Sequence, residues 1–149
     1  MSRLFVPGPL PGLNEILRAK GARFRGGNNG YNKMKMAWAE TVGMLAHAAG
    51  WKPEGKCFTY LFRERDMRRD PSNFVAGGVK LIEDALQDCG LLENDGWKQV
   101  EAFAAHWLVD KETPGATVFT GDCLLSKKQA IELDDYHRRS KTCRRPTVK

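Results

Sequence analysis

Apolar positions along the chain recur with two periods. From Tyr31 to Ala49, Met34, Trp38, Val42, Leu45 and Ala49 recur at three- and four-residue spacing, which predicts one helix ended by Gly50. A second helix is expected from about Phe74 to Cys89, with Val79, Ile82, Leu86 and Cys89 as its stripe and Gly90 as its stop. Between them "KCFTYLFRER" sets Cys57, Thr59 and Leu61 against Phe58, Tyr60 and Phe62, the period of a strand. "RLFVP" at residues 3–7 reads as a short strand stopped by "PGPLPG". "KQVEAFAAHWLVD" (98–110) and "ATVFTGDCLL" (116–125) flank the turn "KETPG", so a hairpin is expected. Residues 127–136 predict a short terminal helix, followed by a basic tail from about 137. The aperiodic, glycine-rich "RAKGARFRGGNNG" reads as a surface loop.

The order β-α-β-α-β-β implies a single α+β domain over residues 1–149, a small mixed sheet with two main helices packed on one face. The other sheet face then needs cover, which a homodimer would supply. Gly77-Gly78 is costly inside a helix, roughly 1 kcal/mol per glycine relative to alanine. Such a pair marks either a bulged helix entry or the close approach of another backbone or a ligand.

Composition narrows the partners. The net charge of +6 favours an anionic partner, of which nucleic acid is the commonest for a basic domain. The charge is clustered, with Arg18, Lys20, Arg23 and Arg25 in one group. Arg63, Arg65, Arg68 and Arg69 form a second, and Arg138, Arg139, Lys141, Arg144 and Arg145 a third. The first group, with Phe24 among it, reads either as a grip on DNA backbone or as a solvated loop. No run of about 20 apolar residues predicts a membrane span, and the N-terminal sequence does not read as a secretory signal. Cys57, Cys89, Cys123 and Cys143 form no CxxC pair, which argues against structural zinc and for reduced thiols in a cytoplasm. Cys89 and Cys123, among apolar neighbours, are expected in the core. His47, His106 and His137 lack ligand spacing.

The chemistry concentrates in residues 68–100, "RRDPSNFVAGGVKLIEDALQDCGLLENDGWKQV". Asp70 opens the second helix and Asp95 follows it. A helix of about sixteen residues runs some 24 Å, so spacing leaves open whether the two carboxylates meet. If they do, a pair of carboxylates suits Mg²⁺ or Mn²⁺. Lys80 lies four residues before Asp84, so it either pairs with that carboxylate or reaches a phosphate. Trp97 reads either as a packed tryptophan or as a base-stacking one.

The segments "RRDPSN", "VKLIEDAL" and "CGLLENDGWKQV" together resemble the RusA family of Holliday-junction resolvases, in particular its phage and prophage members. The matching positions are Arg69, Asp70, Asn73, Lys80, Asp84, Ala85, Leu86, Gly90, Asn94 and Asp95, and "VPGPLPGLNEIL" resembles the family's opening with Pro9, Pro11 and Asn14. The resemblance implies a homodimeric, Mg²⁺-dependent endonuclease, with Mn²⁺ as a substitute, that nicks four-way DNA junctions symmetrically during recombination and repair. It places such a protein in the cytoplasm of a bacterial host. By the same resemblance Asp70 and Asp95 are metal-binding catalytic carboxylates and Lys80 is a catalytic or phosphate-contacting lysine. Ser72 and Asp84 are further candidates to complete the metal site. Arg68, Arg69 and Asn73 are candidate DNA contacts, with Arg18, Lys20, Arg23 and Arg25 in the basic loop. Ser72 stands where the family commonly carries a second aspartate, although a serine there also suits a helix N-cap. That departure sustains an alternative, a catalytically weakened junction- or DNA-binding protein that keeps the fold.

Overall fold

Cys57–Glu64 (β2) is the strand that organises the molecule, because its residues from Phe58 onward are all buried. A strand with apolar side chains on both faces needs cover above and below and neighbours on both edges. In this computed structural model, which describes residues 1–21, 30–94, 96 and 98–142, those neighbours are Gly115–Gly121 (β4) and Ala102–Val109 (β3). Ser2–Pro7 (β1) completes a four-stranded sheet of order β1-β4-β2-β3. β4 runs antiparallel to β1 and β2, whereas β3 runs parallel to β2 with Cys57 opposite Ala102 and Glu64 opposite Val109.

The α+β class and the mixed sheet agree with the sequence pattern, but the pairing of the last two strands does not. β3 and β4 do not form a hairpin; they lie on opposite sides of β2, joined by residues 110–114 across its end. Asp110 shapes that crossing. Its carboxylate accepts from the backbone of Glu112 and Thr113, from the Thr113 hydroxyl and from Arg63 of β2.

Helices Gly30–Ala49 (α2) and Pro71–Asp88 (α3) cover the face carrying Phe58, Tyr60 and Phe62, through Val42, Ala46, Phe74, Ile82, Ala85 and Leu86. Gly50 and Gly90 end these helices with positive φ of 59° and 75°. A further helix absent from the sequence reading, Leu13–Gly21 (α1), begins before the expected loop and buries one side chain, Ile16. A single buried position leaves no stripe to read. Residues 22–29 of that expected loop lie outside the described residues.

The opposite face is not left for a dimer partner. Lys127–Thr142 (α4) covers it, packing Ala130, Ile131 and Leu133 with Leu125 against Leu61, Leu108 and Phe119. α4 therefore runs through the start of the expected basic tail, and residues 143–149 lie outside the described residues. Cys89 and Cys123 are exposed, not core residues, because each follows the end of its element.

The glycine pair has a packing cause. A Cβ on Gly77 would come within 2.5 Å of the Pro11 carbonyl oxygen, and one on Gly78 would collide with the Phe62 ring. The pair lets the Pro11–Leu13 backbone and β2 lie directly on α3.

Candidate functional site

The loop leaving β2 sets the geometry of the motif. Arg69 turns back from this loop and grips the buried Glu64 carboxylate through Nε and Nη2 at 2.7 to 3.0 Å. Its Nη1 donates to the Leu10 carbonyl at 2.7 Å, and Glu15 of α1 lies 3.5 Å away. Asn73 Oδ1 accepts from the Asn14 backbone at 2.9 Å. Arg69 and Asn73, both candidate DNA contacts, thus join β2, α3 and the segment before α1.

Asp70 is the N-cap residue of α3, with extended backbone (φ −70°, ψ 137°), and Pro71 opens the helix proper. Its carbonyl starts the helix, accepting from Asn73 and Phe74, but its carboxylate makes no capping hydrogen bond and faces solvent. Ser72 is not the cap; it sits exposed in the first turn. Arg68 extends almost fully into solvent, with Asp66 at 3.6 Å as its ion-pair partner. Beside this corner a groove of about 320 Å³ opens between Met67, Arg69, Phe74, Trp107 and Val109.

Lys80 and Asp84 belong to a different place. Ten residues at 1.5 Å per residue put Lys80 roughly 15 Å along α3 from Asp70. The Lys80 ammonium pairs with Asp84 at 2.8 Å, and the Tyr31 hydroxyl of α2 donates to the other Asp84 oxygen at 2.6 Å. Burial alone would raise the Asp84 carboxyl's pKa, but these two hydrogen bonds and the Lys80 charge bring it below the usual carboxylate range. Burial and the Asp84 hydrogen bond push the Tyr31 phenol upward. Lys20 of α1 lies 4.9 Å from the Tyr31 ring centre, and Lys35 pairs with Asp88 at 3.6 Å. Lys20, Lys35 and Lys80 are thereby gathered around Tyr31 on the helical side, with exposed Arg18 in the last turn of α1. Neither Tyr31 nor its hydrogen bond to Asp84 was part of the sequence expectation, since a pair 53 residues apart leaves no local signal.

Arg23, Phe24, Arg25, Asp95 and Trp97 lie outside the described residues. The residues flanking Asp95 belong to the far end of α3. Leu91 and Leu92 donate to the Leu86 carbonyl, and the Gly96 carbonyl accepts from Gln99 and Val100. Eighteen residues make α3 about 27 Å long, so Asp70 and this turn stand at opposite ends of one helix.

For a hard divalent ion, Asp70 offers one uncommitted carboxylate and Ser72 a nearby hydroxyl. Asp84 is committed to Lys80 and Tyr31. No group of three or more His, Cys, Asp or Glu side chains poised for a metal occurs among the described residues, so these residues alone do not compose the expected Mg²⁺ site. No helix among them is long and apolar enough to cross a membrane. No protein-family model matches the sequence, and no curated protein matches it.

Proposed function

We propose that this chain is a RusA-like, Mg²⁺-dependent endonuclease of four-way DNA junctions, with Asp70 as a metal ligand and Asp95 reaching the same ion across a dimer, since α3 spans about 27 Å between them within one chain. The observation carrying this reading is the exposed, uncapped Asp70 carboxylate at the N-terminus of α3, within a segment that resembles the family's motif. Rigid attachment supports it. Arg69 and Asn73 fix the loop and first turn around Asp70 to β2 and the Leu10–Asn14 segment, and a catalytic carboxylate needs such support. When bound, a divalent ion would supply an activated water and stabilise charge on the phosphoryl group. Exposed Arg68 beside Asp70 would hold the backbone phosphates at this corner.

The test incubates the protein with a synthetic four-way junction in Mg²⁺, Mn²⁺ or chelator. Paired symmetric nicks are expected with metal, and Asp70→Asn should slow them on the order of 10²–10³-fold, as loss of a charge-stabilising catalytic group does. Binding without nicks in either metal overturns the nuclease reading.

A second reading has its own support. Ser72 brings no charge to the first turn of α3, and Lys80 lies roughly 15 Å from Asp70. A DNA-binding protein with weakened catalysis fits both features. Ser72→Asp separates the two, because a large gain in cleavage rate marks the parent site as impaired.

A further inference from the structure

Asp84 is buried and takes hydrogen bonds from two side chains that differ in their freedom to move. Its own side chain is 6% exposed, whereas that of Lys80 is 49% exposed and sits on a flexible four-carbon stem. The Lys80 ammonium pairs with one Asp84 oxygen at 2.8 Å across a single helical turn. The Tyr31 hydroxyl donates to the other oxygen at 2.6 Å from a different helix, α2, which packs against α3. The Lys35 charge also favours the Asp84 anion, and Lys20 lies 4.9 Å from the Tyr31 ring centre.

A lysine–aspartate pair with its acid in water needs no third group. Here the acid is buried, so a departing lysine would leave an uncompensated charge, which is strongly unfavourable. Tyr31 and Lys35 remove that obstacle. With Lys80 gone, Asp84 keeps a short hydrogen bond and a neighbouring cation.

Lys80 also has somewhere to go. It lines a groove of about 350 Å³ beside α3, which passes Ala76 to reach Ser72 in the first turn and is bounded by Phe103. Helical side chains lean toward the helix N-terminus. Asp84 lies one turn C-terminal to Lys80, so a lysine released from it swings back toward the end of α3 that carries Asp70.

We propose that Lys80 has two positions, one at Asp84 and one on a DNA backbone phosphate beside α3, and that Tyr31 is the positioning residue that holds Asp84 when Lys80 leaves. The inference rests on the DNA-junction reading of the proposed function and adds to it a group on α2. Tyr31 touches no DNA in this exchange, which separates it from the exposed cations around it.

Fluorescence anisotropy of a labelled four-way junction, in chelator so that nothing is cut, measures the exchange. Tyr31→Phe should weaken binding about three- to tenfold, because Asp84 then retains Lys80 as its one direct donor. Lys80→Gln should weaken it at least as much, and adding Tyr31→Phe to Lys80→Gln should change nothing further. Asp84→Asn should restore binding to the Tyr31→Phe chain, since a neutral amide does not retain the lysine. In the Lys80→Gln chain the same change should move affinity less than about twofold. A purely structural Tyr31 gives the reverse pattern, in which its loss adds to Lys80→Gln and is deepened by Asp84→Asn. Tyr31→Phe binding like the parent overturns the inference, and so does a weakening that persists in full beside Lys80→Gln. If Tyr31→Phe does not fold, Asp84→Asn alone decides: it should tighten binding by the parent and not by Lys80→Gln, and equal tightening of both overturns the proposal. A parent chain that binds no junction overturns the proposed function and this inference together, whereas binding without the coupling overturns this inference alone. Cleavage enters none of these arms, so a binding protein without nuclease activity leaves the inference standing.

Discussion

Asp134 takes hydrogen bonds from three arginines and a threonine while wholly removed from solvent. Arg63 donates at 2.7 and 2.9 Å, Arg138 at 2.8 Å and Thr117 at 3.0 Å, and Arg3 adds an ion pair. Arg63 also meets Asp110 and Asp135, so the charges balance across α4, β1, β2 and the crossing loop. Removing one partner of a buried network strands the rest. Asp134→Asn should therefore destabilise the fold by about 3–5 kcal/mol, read from urea unfolding at neutral pH. Burial acts to raise the Asp134 pKa, but the hydrogen bonds and charges of the arginines hold it at about 2. A folded pKa below the unfolded one stabilises above the unfolded value, near pH 4, and loses that contribution as pH falls toward 2. The loss should be on the order of 2 kcal/mol and be absent from the Asp134→Asn profile. Sequence grouped Arg63 with Arg68 as one basic patch. Only the fold separates them, because the acid that engages Arg63 lies 71 residues away while Arg68 stays in solvent.

α3 was legible because its stripe, its glycine stop and its acidic start are all local. Its real start at Pro71 precedes the expected Phe74 by three residues, since Asp70 and Pro71 open it and Ser72 does not cap it. Strand pairing was less legible. The turn after β3 looks like a hairpin turn, and what overrides it is the demand of β2, apolar on both faces, for a neighbour on each edge. The unbroken run "CFTYLF" was the available signal of a central strand. Of the expected site, Asp70 could be followed to an exposed corner and Lys80 to its pairing with Asp84, whereas their separation depends on the six residues "FVAGGV" between Asn73 and Lys80. The glycines in that stretch lend themselves to a test. Gly77→Ala should gain about 1 kcal/mol of helix propensity but forces its Cβ onto the Pro11 carbonyl oxygen. Backbone must yield there, so a net loss of about 1–3 kcal/mol is expected, read as a lowered thermal midpoint.

At the scale of the whole molecule, the net charge of +6 is distributed unevenly in its availability. Arg3, Arg63, Arg69 and Arg138 are engaged within the fold by Asp134, Glu64 and their neighbours. Exposed Arg18 and Lys20 on α1, and Arg68 beside Asp70, face solvent and remain able to meet phosphate. On the proposed function, DNA would lie across the helical side, from the end of α1 toward the corner at Asp70. Each phosphate neutralised releases condensed cations, so log affinity should fall linearly with log salt at about −0.9 per contact on duplex arms. Changing Arg18 and Lys20 together to alanine should make that slope shallower by about 1 to 2 and weaken binding to all junction sequences alike. Asp134 and its arginines lie under α4, away from this surface, so Arg138→Ala should lower stability yet leave the slope where it was. Fluorescence anisotropy across a salt series measures both. A slope that responds to Arg138 but not to Arg18 and Lys20 would move the DNA path to the α4 side.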